Sequence, residues 1–150
     1  MIDPPVPDNE IQRQAALDGT NLVASPREQD FDRITRLAQN MFNTPIALIS
    51  LVDKDRQWFK SRQGINASET PRAISFCGHA IAQDEIFVVP DASEDPRFHD
   101  NPLVTGDPHI RFYAGQPIRS PDGYNIGTLC IISDEPRALS RADRQNLSDL

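Results

Sequence analysis

One hundred and fifty residues is the size of one domain, enough chain for a single full core. The formal charge of −7 argues against nucleic acid or an anionic membrane surface as partner. No apolar run approaches the roughly 18 residues that cross a bilayer, and two cysteines, Cys77 and Cys130, are too few for a disulfide framework.

Residues 1–8 carry three prolines and read as a loose tail. Their acidic, proline-rich character is the opposite of a secretory signal, so the chain is expected in the cytoplasm. A weak helical pattern follows from Asn9 to Leu17, and residues 1–24 together form an N-terminal tail with a short helix. At Ser25-Pro26-Arg27-Glu28 a capping serine, a proline at the first helical position and a glutamate three residues on signal a helix start. Phe31, Ile34, Leu37, Ala38, Met41 and Phe42 then recur at three- and four-residue steps, predicting a helix over 26–42. Asn43-Thr44-Pro45 stops it, because the residue before proline is pushed out of the α region.

Ile46 to Val52 is an almost unbroken apolar run of strand length, expected at the centre of a sheet and covered on both faces. Asp53 to Arg56 turns the chain, and Gln57 to Arg62 alternates as a returning strand. After a loop over 64–71, a short helix is expected from about Ala73 to Gln83, then a brief strand over 86–89. Residues 91–108 hold three X-Pro pairs and at most one or two helical turns. A segment of that length without regular structure points to a functional or lid loop.

His109 to Ser133 reads as a hairpin. Pro121 presets φ for the first central turn position, Asp122 suits the next, and Gly123 tolerates the left-handed geometry that closes the loop. Ser140 and Asp143 resemble a second capping box, opening a helix in which Leu147 and Leu150 begin a stripe. About ten residues is below the roughly 12–15 at which an isolated helix is marginal in water. This helix is therefore expected both to dock on the 26–42 helix and to continue in a longer protein.

Successive blocks, FDRITRLAQNMFNTPIALISLVDKDRQWFKS, ISFCGHAI, VVPDASEDPRFHDNPLV, IRFYAGQPI and GTLCII, resemble those of GAF domains at the front of bacterial signalling proteins such as diguanylate cyclases and sensor histidine kinases. The resemblance implies an α+β fold: a twisted antiparallel sheet of five or six strands, terminal helices on one face, and short helices and loops over a pocket on the other. It places the domain core at 25–139 and the start of a C-terminal helix, cut short before an output domain, at 140–150. It also implies a non-catalytic sensory module without a resident cofactor, binding an unknown small molecule and dimerising through its terminal helices. A structural dimerisation module without ligand, and a thiol-based redox sensor or methionine sulfoxide reductase-like enzyme, are the alternatives. Bilin-binding members attach pigment through a cysteine often followed directly by histidine; here Gly78 separates Cys77 from His79, and no Asp-Ile-Pro signature occurs.

Alternation along the first hairpin strand puts Phe112, Ala114 and Ile118 on one face, read as core against the terminal helices, and Arg111, Tyr113 and Arg119 on the other, toward the pocket or out to solvent at the strand ends. An enclosed Arg111 needs a carboxylate such as Asp91, as an internal brace, or a ligand anion. Cys77 and His79 are two apart on a helix and project apart, so direct pairing is not expected; the plain reading is a buried thiol and a satisfied histidine. With His99, His109 and Cys130 elsewhere, no zinc pattern emerges. Cys130 lies mid-strand and is expected to be buried. Trp58 and Phe59 are adjacent on one strand, so one faces each side of the sheet; one serves the core and the other is a candidate pocket floor. Phe98 is a weaker candidate for that role. The candidate ligand-binding set is thus Trp58, Phe59, Cys77, His79, Asp91, Arg111, Tyr113 and Cys130, with no metal.

Overall fold

The computed structural model describes residues 1–150. Six strands form one antiparallel sheet: β1 (Ile46–Val52), β2 (Arg56–Gln63), β3 (Glu69–Pro71), β4 (Phe87–Val89), β5 (Phe112–Arg119) and β6 (Asn125–Ser133), in the order β3-β2-β1-β6-β5-β4. The helices are α1 (Glu10–Thr20), α2 (Gln29–Phe42), α3 (Phe76–Ala80), α4 (Pro102–Thr105) and α5 (Arg141–Asp149). The apolar run of β1 lies between β2 and β6 with all seven residues buried, as its composition predicts. The hairpin turn closes with Gly123 N–H donating to the Ser120 carbonyl at 2.8 Å.

Side-chain alternation sorts the core into two layers. Ala47, Ile49, Phe112, Ala114, Leu129 and Ile131 meet Ala38 and Phe42 of α2 and Leu147 of α5 on one face. Leu48, Tyr113, Cys130 and Ile132 meet Phe76, Cys77, Ala80, Phe98 and Val104 on the other, beneath α3, α4 and the 91–101 segment. The α+β, GAF-like architecture implied by the sequence blocks is therefore the one observed. The second capping box forms: Ser140 Oγ accepts from Asp143 N–H at 3.0 Å, and Asp143 accepts from Ser140 N–H.

Three local expectations are corrected. Helix α2 starts at Gln29, and Ser25 does not cap it. Ser25 Oγ instead accepts from Lys60 Nζ at 2.6 Å and donates to the Leu22 carbonyl. The cause is a bulge in β2, where Ser50 faces Phe59 and Ile49 faces Ser61, leaving Lys60 as the extra residue. The bulge turns both Lys60 and Ser61 toward α2. Lys60, 1% exposed, reaches Pro26 O at 2.6 Å and Glu28 Oε2 at 2.5 Å, while Ser61 Oγ donates to Asp32 Oδ1 at 2.6 Å. The helix expected over 73–83 is a 3₁₀ turn (Arg72–Ile74) followed by the five residues of α3. The opening residues are not a loose tail: Ile2 and Pro4 lie against α3 and the 95–97 turn.

Helix α1 is tied down by charge. The Glu10 carboxylate accepts from Arg13 at 2.8 and 2.9 Å and from Arg72 at 2.6 and 3.1 Å. Both arginines are buried, at 1% and 8% exposure, so this carboxylate is what makes their burial tolerable.

Candidate functional site: an aromatic chamber over the sheet

The face opposite α2 and α5 is built from three segments. β5 and β6 supply Tyr113, Thr128 and Cys130, α3 supplies Phe76, Cys77 and His79, and the irregular stretch after β4 supplies Arg97 and Phe98. α3 begins at Ser75, whose hydroxyl accepts from Gly78 N–H at 3.0 Å, and this cap aims Phe76 and Cys77 at the sheet. Asn101 caps α4 in the same way, accepting from Leu103 N–H at 2.9 Å, and its amide donates to the Ile74 carbonyl at 3.0 Å. That side chain pins the end of the 91–101 stretch to the start of α3.

The rings form one cluster. Phe76 stacks on Phe98 and is tilted 37° against Tyr113 at 5.3 Å. His79 meets Phe98 edge-on at 4.8 Å, and Phe87 packs against Phe98 and Tyr113 at 6.2 and 6.0 Å. The Arg97 guanidinium lies 4.9 Å over Phe87 and 5.3 Å over Phe98, held by a two-pronged contact with Asp95 at 3.0 and 2.7 Å. The Tyr113 ring folds back along its strand over Gly115: a Cβ there would come within 2.3 Å of the phenolic oxygen. Only glycine permits that approach.

At the chamber floor the Tyr113 hydroxyl lies 3.2 Å and Thr128 Oγ1 3.1 Å from Cys77 Sγ, both as donors. Burial raises the pKa of Cys77, but donors from Cys130, Thr128, Tyr113 and Ser50 bring it down to about 7. Burial, reinforced by the neighbouring Cys77, pushes Cys130 and Tyr113 upward. Both thiols are free and buried. His79 donates through Nε2 to the Ile2 carbonyl at 3.1 Å, and burial lowers its pKa.

Of the sequence-derived candidates, the structure gathers Phe59, Cys77, Tyr113 and Cys130 in one cluster, with His79 at its rim. Three others lie elsewhere. Trp58 turns to the opposite face and packs with Leu17, Leu51 and Ile126 under α1, so Phe59, not Trp58, faces the chamber. Arg111 donates to the carbonyls of Val104 and Ile110 at 2.9 and 3.0 Å. Asp91 accepts from Ser93 N–H and Oγ to cap a 3₁₀ turn. The expected Arg111–Asp91 brace is absent because each group is satisfied locally. Phe87 and Thr128 carry no signal of a site in the sequence, Phe76 reads only as an apolar residue of the short helix, and Arg97 sits in an Asp-Pro-Arg-Phe turn whose only visible signal is the turn itself.

The pocket expected under the short helices and loops is filled by the chain's own side chains. Phe76, Cys77, Phe98, Tyr113 and Cys130 are each 2% exposed or less. Clefts of about 270 to 440 Å³ lie outside this cluster, among them an apolar groove of about 270 Å³ between α2, α5 and the sheet, lined by Phe31, Ile34, Ile118, Leu129, Leu147 and Leu150.

A two-faced antiparallel sheet with helices on one side and an aromatic chamber under short helices on the other defines the class, and residues 26–150 match the family model of the GAF domain. The chain belongs to the GAF family. Over 137 residues it is 47% identical to a cyclic di-GMP phosphodiesterase of Pseudomonas aeruginosa; the match covers 91% of this chain and 23% of that protein, so the chain spans less than a quarter of its relative's length. Its fold is similar to free methionine-R-sulfoxide reductase of Neisseria meningitidis, solved with its substrate (TM-score 0.66, 20% identity, 99% and 89% of the two chains covered). It is also similar to the GAF domain of an Acinetobacter phosphoenolpyruvate-protein phosphotransferase (TM-score 0.61, 17% identity, 92% and 91% covered). At these identities the two structures speak for the fold alone. No helix is long and apolar enough to cross a membrane.

Proposed function

We propose that this GAF domain is the non-catalytic sensory module of a longer bacterial signalling protein whose output acts on cyclic di-GMP. A small molecule enters the chamber face by displacing Phe98, and a dimer formed through α2 and α5 reads the change. The supporting observation is that β5 and β6 carry both faces at once: Phe112 and Leu129 lie against the helices, while their neighbours Tyr113 and Cys130 line the chamber. The relative's name suggests the output. A guest shifts the helix arrangement only by its difference in affinity for two states.

Thermal unfolding and native mass spectrometry of the purified domain, with cyclic nucleotides and metabolite pools, test the sensory half. A bound mass together with a raised Tm supports it. No stabilisation by any of them overturns it in favour of a purely structural dimerisation module. The filled chamber, together with Leu37 and Met41 standing 49% and 51% exposed on α2, favours that second reading. Sizing this chain beside one extended past Leu150 tests the dimer itself.

A further inference from the structure

For Phe98 to leave the chamber, the 95–101 segment has to part from α3, and the seam between them is crossed on its outer side by residues 1–5. Ile2 N–H donates to the Arg97 carbonyl at 3.1 Å, and the Ile2 carbonyl accepts from His79 Nε2 at 3.1 Å. One residue of backbone is thus bonded to both banks of the seam. Arg97 and His79 both pack against Phe98 as well, beside Phe76 and Phe87. Two residues further on, Pro4 sits directly on α3 at Gly78, where a Cβ would come within 2.9 Å of the proline ring. Gly78 is therefore the seat that lets the crossing segment lie flat on the helix.

The crossing segment lies largely in solvent. Ile2 is 53% and Val6 68% exposed, and a cleft of about 390 Å³ remains between Ile2, Asp3, Pro5 and the surface of His79, Phe87 and Arg97. Pro4, Pro5 and Pro7 keep the segment extended off the surface as well as on it, so release gains less chain entropy than a flexible tail would. A segment seated on one form alone would bias the balance between that form and an open one.

We propose that residues 1–5 are a strap that holds the chamber shut, so that a guest is admitted only after the strap has left its seat. This rests on reading the chamber as the ligand face. Partners or events that draw the opening residues away would then sensitise the domain, and events that fix them would silence it.

The two thiols buried in the same cluster as Phe98 report the opening without any ligand. Their rate of reaction with 4,4′-dithiodipyridine in the folded protein is compared between the natural chain and Ile2→Pro, which lacks the N–H that bonds Arg97. A chain lacking residues 1–6 is the second variant, and circular dichroism checks the fold of each. Thiol modification about tenfold faster in both variants, at unchanged circular dichroism, is the expected result, since local opening gates such reactions. Wild-type rates in folded Ile2→Pro overturn the strap; if the shortened chain does not fold, the point variant decides alone. The absence of any ligand for the chamber would leave this rate difference standing, and an unchanged rate would leave ligand binding standing, so the two readings fail separately.

Discussion

Phe98 lies face to face on Phe76, with ring centroids 4.1 Å apart and planes 8° from parallel. The pair joins two segments that share no regular hydrogen-bond ladder, a five-residue helix and an irregular stretch, so ring packing does work that backbone bonding does elsewhere in the sheet. Stacked pairs of this kind contribute about 0.5–1.5 kcal/mol beyond their area burial.

Phe98→Ala is expected to lower stability by about 3–5 kcal/mol, the range for truncating a buried ring. The cavity left is walled by the rings of Phe76 and Phe87 with Arg97 and His79 alongside, a setting in which a flat aromatic can stack. Indole added to Phe98→Ala should therefore raise its Tm while leaving the natural chain unaffected. Urea unfolding gives the first quantity and a melting curve with indole the second. An indifferent melting curve would mean that the surrounding side chains collapse into the gap.

Lys60 is buried whereas its partner Glu28 is 53% exposed, so only one charge of the pair is taken from water. The methylene stem does much of the packing, and its ammonium lies 5.3 Å over the Phe31 ring. Lys60→Met keeps the stem and should cost about 1 kcal/mol or less, while Lys60→Ala should cost about 2–4 kcal/mol. Denaturant midpoints of the two variants, measured side by side, check the order.

Glu10 governs acid stability near α1. Burial works against its charge, but bonds from Arg13 and Arg72 outweigh burial and bring its pKa from 4.5 down to about 2. A carboxyl whose folded pKa is depressed contributes stability that is fully present above its unfolded pKa and is lost as pH falls toward the folded value. The loss therefore runs from pH 4.5 down to about 2. Glu10→Gln should cost about 3 kcal/mol at neutral pH, because two buried guanidinium groups lose their counter-charge. Stability against pH, compared for the two chains, should converge at the acid end.

Tyr113→Phe removes one of the donors to Cys77 Sγ while keeping the ring. The Cys77 pKa, about 7 in the natural chain, should rise, and Thr128→Val should move it the same way. Alkylation rate against pH in a Cys130→Ser background reads it directly. A fall in either variant would mean that the hydroxyls are not donors to this sulfur.

The parts of the fold that the sequence discloses are those set by neighbours in the chain. The stripe of α2, the apolar run of β1, the Pro121-Asp122-Gly123 turn and the Ser140–Asp143 box are each decided within about one turn or one strand. Ser25 misleads because its hydroxyl is claimed by Lys60, 35 residues away, through a bulge that alternation cannot announce. The chamber is half legible: period-two reasoning puts Tyr113 on the right face and separates Phe59 from Trp58 without saying which faces in, while Cys130 reads only as a buried mid-strand residue. Phe76 and Phe98 meet across two segments that Asn101 ties together, and no local signal records that meeting. Arg111 and Asp91 looked like partners because both charges had to be satisfied, yet backbone carbonyls and a serine met the need more cheaply.

Gly115 carries the last consequence. The phenol of Tyr113 lies where a side chain at 115 would be, so the depth of the chamber is set by one hydrogen atom on the strand. A methyl group there would lever the tyrosine off the strand toward the Phe76–Phe98 stack, shrinking the room for any visitor from below while leaving the helical face alone. Gly115→Ala would thus act as a wedge, and faster thiol modification of Cys77 at unchanged circular dichroism would show that the chamber can be resized from its floor.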